Sequence, residues 1–337
     1  MDIQRNVSLK DYNTFGLDVK AAALVEFHTE EELLKLLQNP EVQKKNLILG
    51  GGSNVLLSQD FEGVILLNRI KGIEIQEEDE NEVVVRFGAG ENWHESVLHC
   101  IDQGWAGIEN LSLIPGNIGA APMQNIGAYG VELVQVFRSL RAINRETREV
   151  REFNEKACEF GYRSSIFKTR LKEVFVIVSV DLVLQKKAEL NTSYGAIREE
   201  LEHRGIKEPS IRDVSDAVIA IRRSKLPDPA HIGNAGSFFK NPVITLGHFL
   251  TIRMRHPNIP SYQVGKGEVK IPAGWLIEQC GWKGKDLGGY GVHDKQALVL
   301  VNRGGGSGEA IHKLSLNIQE SVYQKFHINL EREVNLI

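Results

Sequence analysis

The feature that most constrains this chain is a stretch of small and polar residues without a single charge, residues 110–131. Pro115 and Pro122 within it exclude a membrane helix and disfavour any long regular element. A run of this length inside a compact domain is uncommon unless it serves a ligand. Glycine and alanine also let the main chain approach a large planar ligand closely. The stretch therefore predicts a loop that wraps a cofactor, with a buried structural loop as the alternative.

A second segment, Gly-Gly-Gly-Ser-Asn at residues 50–54, follows apolar residues 47–49, which have the pattern of a buried strand. Backbone N–H groups of a glycine turn can converge on a phosphate. A Rossmann fingerprint would run into a helix, whereas residues 55–57 have the pattern of extended chain, and the lysine of a Walker A motif is missing. A bare turn is the alternative for a lone triple glycine. Together with residues 110–131, the segment predicts a dinucleotide site.

Bulk properties indicate a cytoplasmic protein of several domains. A length of 337 residues predicts two or three domains. The formal charge of −4 gives no general electrostatic footprint for nucleic acid or an anionic membrane. The longest apolar run, residues 174–184, contains Asp181 and falls short of the roughly 20 residues that span a bilayer. Three cysteines far apart in sequence, Cys100, Cys158 and Cys280, favour a reducing compartment and show no zinc-site spacing.

Helices and strands are mixed along the whole chain, which predicts the α+β class. Pro227 and Pro229 end the third predicted helix and mark a domain boundary. In the last helix Ile311, Leu314, Ile318 and Val322 repeat at three and four residues, so one face packs on a core. The periodicity and turn signals predict helices at 30–37, 95–103, 213–224 and 309–326, and strands at 47–49, 64–67, 83–87, 140–143, 174–184 and 297–301.

Other chemistries do not fit the residue spacing. His94 and His99 are five residues apart, and this rotates them by about 140° on a helix, off the shared face that a zinc ion needs. No serine lies in a G-x-S-x-G motif, which weakens the case for an α/β-hydrolase. The glycine loop at residues 304–308 leads into a helix, so it fits a phosphate site or a hinge.

Further segments carry a resemblance over almost the whole chain. They are Phe-Gly-Tyr-Arg-Ser-Ser-Ile-Phe-Lys at 160–168, Lys-Leu-Pro-Asp-Pro at 225–229, Gly-Asn-Ala-Gly-Ser-Phe-Phe-Lys-Asn-Pro at 233–242 and Ala-Gly-Trp-Leu-Ile-Glu-Gln-Cys at 273–280. With residues 13–16, 50–54, 125–130 and 330–334, they closely resemble the UDP-N-acetylenolpyruvoylglucosamine reductase family, in its form with a tyrosine loop.

The resemblance implies a fold and a reaction. The expected fold is a two-subdomain FAD-binding module of the vanillyl-alcohol-oxidase (PCMH) type plus a C-terminal α+β substrate-binding domain. The corresponding ranges are 1–70, rejoined by 327–337, then 71–222, and 223–326 for the substrate domain. In that family a non-covalent FAD takes hydride from NADPH. It passes the hydride to the enolpyruvyl ether of a UDP-sugar, giving UDP-N-acetylmuramate for peptidoglycan.

The resemblance also assigns residues. Arg163 would stabilise the negative charge of the intermediate, Glu333 would polarise the enol, and Ser237 would donate the proton, with Lys240 restoring it. FAD would be bound by Gly50, Gly51, Gly52, Ser53, Asn54, Val55, Pro115, Gly116, Gly119, Asn125, Gly127, Ala128, Tyr129 and Gly130. The UDP-sugar would be bound by Tyr194, Lys225, Asn241, Tyr262, Lys283 and Gln296. No metal is expected.

Some positions depart from the family pattern. Ala120 and Ala121 replace serines that could bond the flavin diphosphate, and Asn335 stands where an arginine often follows the catalytic glutamate. Glu331 stays an alternative to Glu333. The expected partners are NADPH and the UDP-sugar, with no nucleic acid and no membrane, and the chain is expected to be a monomer. The alternative functions are another FAD-dependent oxidoreductase of the same fold, such as an oxidase, or a non-catalytic sugar-nucleotide binding protein.

Overall fold

The computed structural model describes residues 2–337, which form two compact units. The first unit holds residues 2–7, Ala21–Gly51 and Glu62–Ser224, and the second holds Ser8–Lys20, Gly52–Phe61 and Lys225–Ile337. The chain therefore passes from one unit to the other within the triple glycine and again at the end of the predicted helix 213–224.

The helices of the described chain follow the predicted positions and add several more. They are α1 Glu30–Leu36, α2 Pro40–Lys44, α3 Trp93–Asp102, α4 Glu155–Cys158, α5 Gly195–His203, α6 Ile211–Lys225, α7 Leu246–Arg255, α8 Ala273–Gln279 and α9 Gly308–Phe326. Short 3₁₀ turns occur at Lys10–Tyr12, Glu109–Leu111, Ile118–Ala120, Pro122–Gln124, Leu133–Gln135 and Ile166–Lys168.

The strands are short in the second unit and longer in the first. They are β1 Gln4–Ser8, β2 Lys20–Phe27, β3 Asn46–Leu49, β4 Val55–Leu56, β5 Phe61–Asn68, β6 Ile73–Glu78, β7 Glu82–Gly88, β8 Gly127–Ala128, β9 Val131–Glu132, β10 Phe137–Asn144, β11 Val150–Asn154, β12 Phe175–Gln185, β13 Gly233–Ser237, β14 Val243–Thr245, β15 Tyr262–Gly265, β16 Glu268–Lys270, β17 Tyr290–Val292, β18 Val299–Asn302 and β19 Asn335–Leu336.

In the first unit a four-stranded sheet delivers the glycine turn. Its order is β1-β2-β5-β3, and β3 runs parallel to β5. Helix α1 begins at Thr29, whose side chain accepts a hydrogen bond from the Glu32 N–H at 3.2 Å. Leu33 and Leu36 of α1 pack with Val64 and other apolar residues of the sheet. This packed layer fixes the end of β3, from which Gly50 continues.

A five-stranded antiparallel sheet, β11-β10-β12-β7-β6, forms the rest of the first unit's framework. Its central strand β12 has eleven residues and corresponds to the long apolar run of the sequence. Asp181 in that run is buried, and Arg86 of β7 donates two hydrogen bonds to its carboxylate at 2.8 and 2.7 Å. Since Arg86 is the register partner of Asp181, the sheet itself provides the charge that the carboxylate needs.

The uncharged stretch has no long regular element, as predicted. It is made of 3₁₀ turns and of the short hairpin β8–β9. Ile118, Ala121 and Ile126 are buried in a core with Trp93 and Val97 of α3. The apolar side chains thus anchor the stretch, and its glycines are left at or near the surface.

The second unit has two three-stranded antiparallel sheets, β13-β18-β17 and β14-β16-β15. The predicted core face of α9 is confirmed, because Ile311, Leu314, Ile318 and Val322 are all fully buried. Strand β19 pairs in parallel with β4, in the register Asn335–Val55. The C-terminal residues are thereby bound to the end of the glycine segment.

The mixed α and β content confirms the predicted class. The division at 70/71 and 222/223 stays a prediction, because the two observed units group the residues differently. Residues 8–20 and 52–61 join the C-terminal unit instead of the N-terminal range. Hydrogen bonds such as Thr14 N–H to the Gly52 carbonyl, at 3.1 Å, contribute to this grouping. Within residues 2–337, no helix has both the length and the hydropathy needed to cross a membrane.

Candidate active site

The glycine turn and the uncharged stretch meet in the first unit. A Cβ atom added to Gly51 would lie 2.8 Å from Asn117 Oδ1 and 3.1 Å from Gly116 Cα. Asn117 is buried, and its Nδ2 donates to the Gly90 carbonyl at 2.9 Å. The two segments that the sequence predicts to act together are therefore in contact, and the contact excludes a side chain at residue 51.

The second half of the glycine segment belongs to the second unit. Gly52 has φ +60°, and a Cβ there would lie 2.0 Å from the Tyr12 carbonyl oxygen, so no other residue fits. The Asn335 N–H and Nδ2 both donate to the Asn54 carbonyl, at 3.1 and 3.0 Å. Ser53 is half-buried, and Val55 begins β4. The C-terminal residues thus hold the backbone of this segment in place.

Two of the predicted cofactor residues have clear structural roles. Gly119 donates its N–H to the Ala89 carbonyl at 2.9 Å, and a Cβ on it would lie 2.6 Å from Ala89 Cβ. Asn125 is buried with φ 44°, its Nδ2 donates to Glu132, and its Oδ1 accepts from the Val134 N–H at 3.1 Å. Both residues shape the loop. Pro115 is exposed and Gly116 half-buried, so the surface they contribute is backbone and a proline ring.

Arg163 reaches the same loop. Its Nη2 donates to the Gly127 carbonyl at 2.5 Å, within the segment that also contains Ala128, Tyr129 and Gly130. Arg163 itself has φ 51°, in the left-handed region. Such backbone strain in a residue other than glycine occurs mainly at functional sites. The predicted catalytic guanidinium therefore lies at the predicted cofactor loop.

Tyr194, predicted for the substrate, contacts Tyr129, predicted for the cofactor. Their rings are edge to face, with centroids 5.2 Å apart. Asn110 donates to the Tyr129 carbonyl at 3.1 Å and to the Asn191 carbonyl at 2.9 Å, and this joins the loop to the residues just before Tyr194. Tyr194 is exposed and precedes α5.

Sequence reasoning missed Arg222 near the end of α6. Its Nε donates to the Leu113 carbonyl at 3.2 Å. Burial lowers the pKa of Arg222, the Arg163 cation lowers it further, and the Tyr129 phenol acts in the opposite direction. Burial likewise raises the pKa of Tyr129. The available signal was the spacing of residues 214, 218, 221 and 222 along the predicted helix, which places residue 222 beside its buried face.

The two histidines of the near-zinc motif have other partners. His94 Nδ1 accepts a hydrogen bond from the Leu113 N–H at 3.0 Å, and His99 contacts Trp105 edge to face. Burial lowers the pKa of His94, and the cations of Arg223 and Arg222 lower it further. Across residues 2–337, no cluster of His, Cys, Asp or Glu could hold a metal ion.

In the second unit, Ser237 and Glu333 lie on adjoining backbone segments. Ser237 is exposed at the end of β13 after Gly236, which has φ +66°. Phe238 directly follows Ser237, and its carbonyl accepts a hydrogen bond from the Glu333 N–H at 2.9 Å. Phe238 and Phe239 are buried, and they anchor the end of the strand. Two of the three predicted catalytic residues are thus brought together by this backbone hydrogen bond.

Lys240, the predicted helper of Ser237, has a carboxylate partner. Its Nζ is 2.5 Å from Glu331 Oε1, and the Lys240 side chain is 13% exposed whereas that of Glu331 is 71% exposed. Glu331 is therefore a surface carboxylate held by a lysine, and Glu333 is half-buried. This difference favours Glu333 as the functional carboxylate.

The predicted sugar-binding residues outside Tyr194 all belong to the second unit. Asn241 Oδ1 accepts from the Ala273 N–H at 2.9 Å at the start of α8, and Gln296 Oε1 accepts from the Leu298 N–H at 3.3 Å. Lys283 forms an ion pair with Glu278 at 2.9 Å. Tyr262 on β15 and Lys225 at the end of α6 are exposed. Three of these five residues thus have a structural partner of their own.

The residues of the first unit fit a flavin. Gly51 and Gly116 are in close contact, and neither carries a side chain. The surface that they form is therefore backbone, which suits a planar ring or a diphosphate. Residues 110–131 add no charge to this surface. Arg163 and Arg222 supply positive charge to the stretch through their hydrogen bonds to the carbonyls of Gly127 and Leu113.

Comparison with known proteins identifies two domain families in the chain. Residues 21–153 match the family model described as "FAD binding domain", and residues 228–337 match the model described as "UDP-N-acetylenolpyruvoylglucosamine reductase, C-terminal domain". These domains define an FAD-containing oxidoreductase, and the predicted FAD cofactor is confirmed.

Relatives along the full length identify the family. The UDP-N-acetylenolpyruvoylglucosamine reductase of Flavobacterium johnsoniae is 51% identical, with 100% of both chains covered. That of Pseudomonas savastanoi pv. phaseolicola is 48% identical, covering 100% of this chain and 99% of the relative. The crystal structure of the Thermus caldophilus reductase shares the fold, with a TM-score of 0.69, 23% identity and coverage of 100% and 99%. The chain belongs to the UDP-N-acetylenolpyruvoylglucosamine reductase family.

Proposed function

We propose that this protein reduces the enolpyruvyl ether of UDP-N-acetylglucosamine enolpyruvate to the lactyl ether, giving UDP-N-acetylmuramate for peptidoglycan precursors. NADPH is the hydride donor. The observation that carries the proposal is the 51% identity, over the full length of both chains, with the Flavobacterium johnsoniae reductase. Bound FAD supplies hydride transfer between the two substrates.

Arg163 has the charge that this reduction needs. A hydride adds to the terminal carbon of the C=C bond, and negative charge then builds on the neighbouring carbon and its carboxylate. A fixed cation stabilises this developing charge more than it stabilises the ground state. The contact of Arg163 with the Gly127 carbonyl supports this role, because it positions the guanidinium at the cofactor loop.

Ser237 and Glu333 are proposed for the proton-transfer step. The carbon that carries the carboxylate must gain one proton, and a serine can donate it to so basic a carbon. The exposed position of Ser237 supports this role. Glu333 would polarise the enol, and its hydrogen bond to the Phe238 carbonyl fixes its backbone beside the serine. Lys240, paired with Glu331, would restore the serine proton only after that ion pair opens.

The remaining residues are proposed to bind the UDP-sugar. Lys283 and Tyr262 suit the diphosphate, because ammonium and phenol groups donate to its oxygens. Tyr194, Lys225, Asn241 and Gln296 complete the set. NADPH and the sugar would use one cavity in turn, in a ping-pong scheme with a single flavin. The three-domain division, a monomeric state and a cytoplasmic location stay predictions, as does the lack of nucleic-acid or membrane partners.

The direct test follows the colour of the flavin under anaerobic conditions. The purified protein should be yellow, NADPH should bleach it, and the enolpyruvyl UDP-sugar should restore the colour. Failure of the sugar to reoxidise the flavin would refute the proposal. Rapid reoxidation by oxygen without response to the sugar would indicate an oxidase, and colourless protein that binds the sugar would indicate a binding protein.

A serine variant separates the two half-reactions. In Ser237→Ala the rate of flavin reduction by NADPH should be unchanged. The rate of transfer to the sugar should fall roughly 10²- to 10⁴-fold, the contribution of one general acid. Ser321→Ala is the matched control, because the half-buried Ser321 of α9 donates only within its own helix, to the Asn317 carbonyl, and it should leave both half-reactions unchanged. Equal loss of both half-reactions in Ser237→Ala would assign this serine a structural role.

A further inference from the structure

Asn110 joins two loops of the first unit through one side-chain amide. It is 1% exposed, and its Nδ2 donates to the carbonyls of Tyr129, at 3.1 Å, and of Asn191, at 2.9 Å. Its Oδ1 is buried and has no hydrogen-bond partner among residues 2–337. The amide keeps this orientation because a reversed amide would set its oxygen against two carbonyl oxygens. Both of its N–H groups are therefore committed to holding the two loops together.

Asn191 adds a further hydrogen bond between the same two loops. Its Nδ2 donates to the Gly130 carbonyl at 3.2 Å, directly after Tyr129. Its Oδ1 accepts from the N–H of Ser193 at 3.2 Å and from the Ser193 hydroxyl at 2.7 Å, which forms a turn just before Tyr194. The oxygen of this side chain thus fixes the turn, and the nitrogen ties the turn to the cofactor loop.

Apolar contacts complete the attachment of residues 190–194, here called the tyrosine segment. Leu190 packs against the small core that contains Ile197 of α5 and Tyr129. The ring of Tyr194 meets that of Tyr129 edge to face, with centroids 5.2 Å apart. Tyr194 is nevertheless 44% exposed, so a ligand can reach it. The tyrosine segment is therefore docked on the cofactor loop at both of its ends while the tyrosine itself stays accessible.

We propose that Asn110 and Asn191 are positioning residues that couple binding of the UDP-sugar at Tyr194 to binding of FAD at residues 127–130. A ligand that binds Tyr194 in the docked tyrosine segment stabilises the docked form. The docked form in turn holds residues 129 and 130 through the two amides, so the sugar slows the loss of flavin. By linkage, flavin tightens the binding of the sugar by the same factor. This inference rests on the proposed function and adds to it a route from one ligand to the other.

The test measures the rate at which flavin leaves the oxidised, flavin-loaded protein without NADPH, so that no turnover occurs. The rate is followed by the fluorescence of released flavin, with and without the enolpyruvyl UDP-sugar. The ratio of the rate without sugar to the rate with sugar is the coupling factor. In the unsubstituted protein we expect a coupling factor of about five or more, the lower end of measured couplings between two sites.

Three variants separate the amides from their surroundings. Asn191→Asp keeps the oxygen that Ser193 uses and removes only the donor to the Gly130 carbonyl, so the coupling factor should fall about fivefold, the contribution of one hydrogen bond. Asn110→Ser removes both donors of the buried amide and should lower the factor further. Asn154→Asp is the matched control, because either side chain caps α4 at this exposed position, and the factor should be unchanged.

A purely structural role would speed flavin release equally with and without the sugar. An unchanged coupling factor in Asn191→Asp and Asn110→Ser therefore overturns the inference, as do equal rates with and without the sugar in the unsubstituted protein. If Asn110→Ser does not fold, Asn191→Asp decides alone, because residue 191 is only half-buried. Failure of the proposed function is distinct: the sugar would then slow flavin release without reoxidising the reduced flavin. A protein that holds no flavin would contradict both.

Discussion

The ring of Tyr194 meets the ring of Tyr129 edge to face, with an interplanar angle of 84° and centroids 5.2 Å apart. One ring belongs to the proposed cofactor loop and the other precedes α5, which packs with α6 through Ile197 and Val218. Movement of Tyr194 therefore breaks a contact with the cofactor loop.

Replacement of Tyr194 should separate its effect on flavin binding from its effect on binding of the UDP-sugar. Tyr194→Phe keeps the ring contact, so flavin binding should be unchanged while the KM for the UDP-sugar rises about tenfold through loss of the hydroxyl. Tyr194→Ala should in addition weaken flavin binding, because an aromatic pair contributes about 0.5–1.5 kcal/mol beyond its buried area. Flavin release measured by fluorescence checks this, and equal flavin affinity in both variants would contradict it.

Replacement of Glu331 and replacement of Glu333 should have very different effects on the two half-reactions. Glu331→Gln breaks an ion pair whose acid is 71% exposed, and such pairs contribute about 0–1 kcal/mol, so both half-reactions should be nearly unchanged. Glu333→Gln should slow flavin reoxidation by the sugar about 100-fold and leave reduction by NADPH intact. Stopped-flow absorbance measures both steps. The reverse ranking of the two variants would assign the role to Glu331.

Two glycines with the same backbone conformation form a matched pair. Gly52 has φ +60° and Gly16 has φ +64°, yet a Cβ on Gly52 would lie 2.0 Å from the Tyr12 carbonyl oxygen, whereas one on Gly16 has open space. Gly16→Ala should cost about 1 kcal/mol through strain alone. Gly52→Ala should cost several kcal/mol and prevent retention of flavin. Urea unfolding and flavin content check this, and equal losses would exclude the steric explanation.

Loss of one charge of the Arg86–Asp181 pair should destabilise the protein, whereas replacement of both charges by apolar residues should be tolerated. Asp181→Asn leaves Arg86 without its carboxylate and should destabilise the protein by about 3 kcal/mol. The double variant Arg86→Met/Asp181→Leu should recover most of that loss, because it removes both charges. Denaturant unfolding of the two variants measures this, and no recovery in the double variant would indicate that other contacts of these side chains dominate.

His94 should make the stability of the protein depend on pH. Burial lowers the pKa of His94 below the ordinary value near 6.5, so the unfolded chain takes up a proton before the folded chain does. The resulting stability is fully present above about pH 6.5 and is lost as the pH falls toward the folded-state pKa. His94→Gln should flatten this part of the curve of Tm against pH. A curve unchanged in His94→Gln would contradict the prediction.

The sequence predicted features that depend on local pattern. The face of α9 marked by Ile311, Leu314 and Ile318 follows from 3.6-residue periodicity, and the end of α6 follows from two prolines. The short strands β14–β17 were missed, since three or four residues carry too little alternation to identify a strand. The helix α7 was also missed, because Leu246 and Leu250 are exposed and hide its buried face.

Long-range relationships account for the rest. The partner of Arg222 could not be predicted from the sequence, because it is a carbonyl contributed 109 residues earlier by Leu113. The division within the triple glycine could not be foreseen either. Asn117 leaves no room for a side chain on Gly51, and the Tyr12 carbonyl leaves none on Gly52. Both neighbours are far from the glycines in the sequence.

The pairing of β19 with β4 affects how the protein matures. Asn335 and Asn54 are separated by 281 positions, so on the ribosome the glycine segment exists long before the residues that brace it. Stable loading of the flavin should therefore wait until residues 335 and 336 have been synthesised and paired, and until then the nascent polypeptide would carry an unbraced glycine segment.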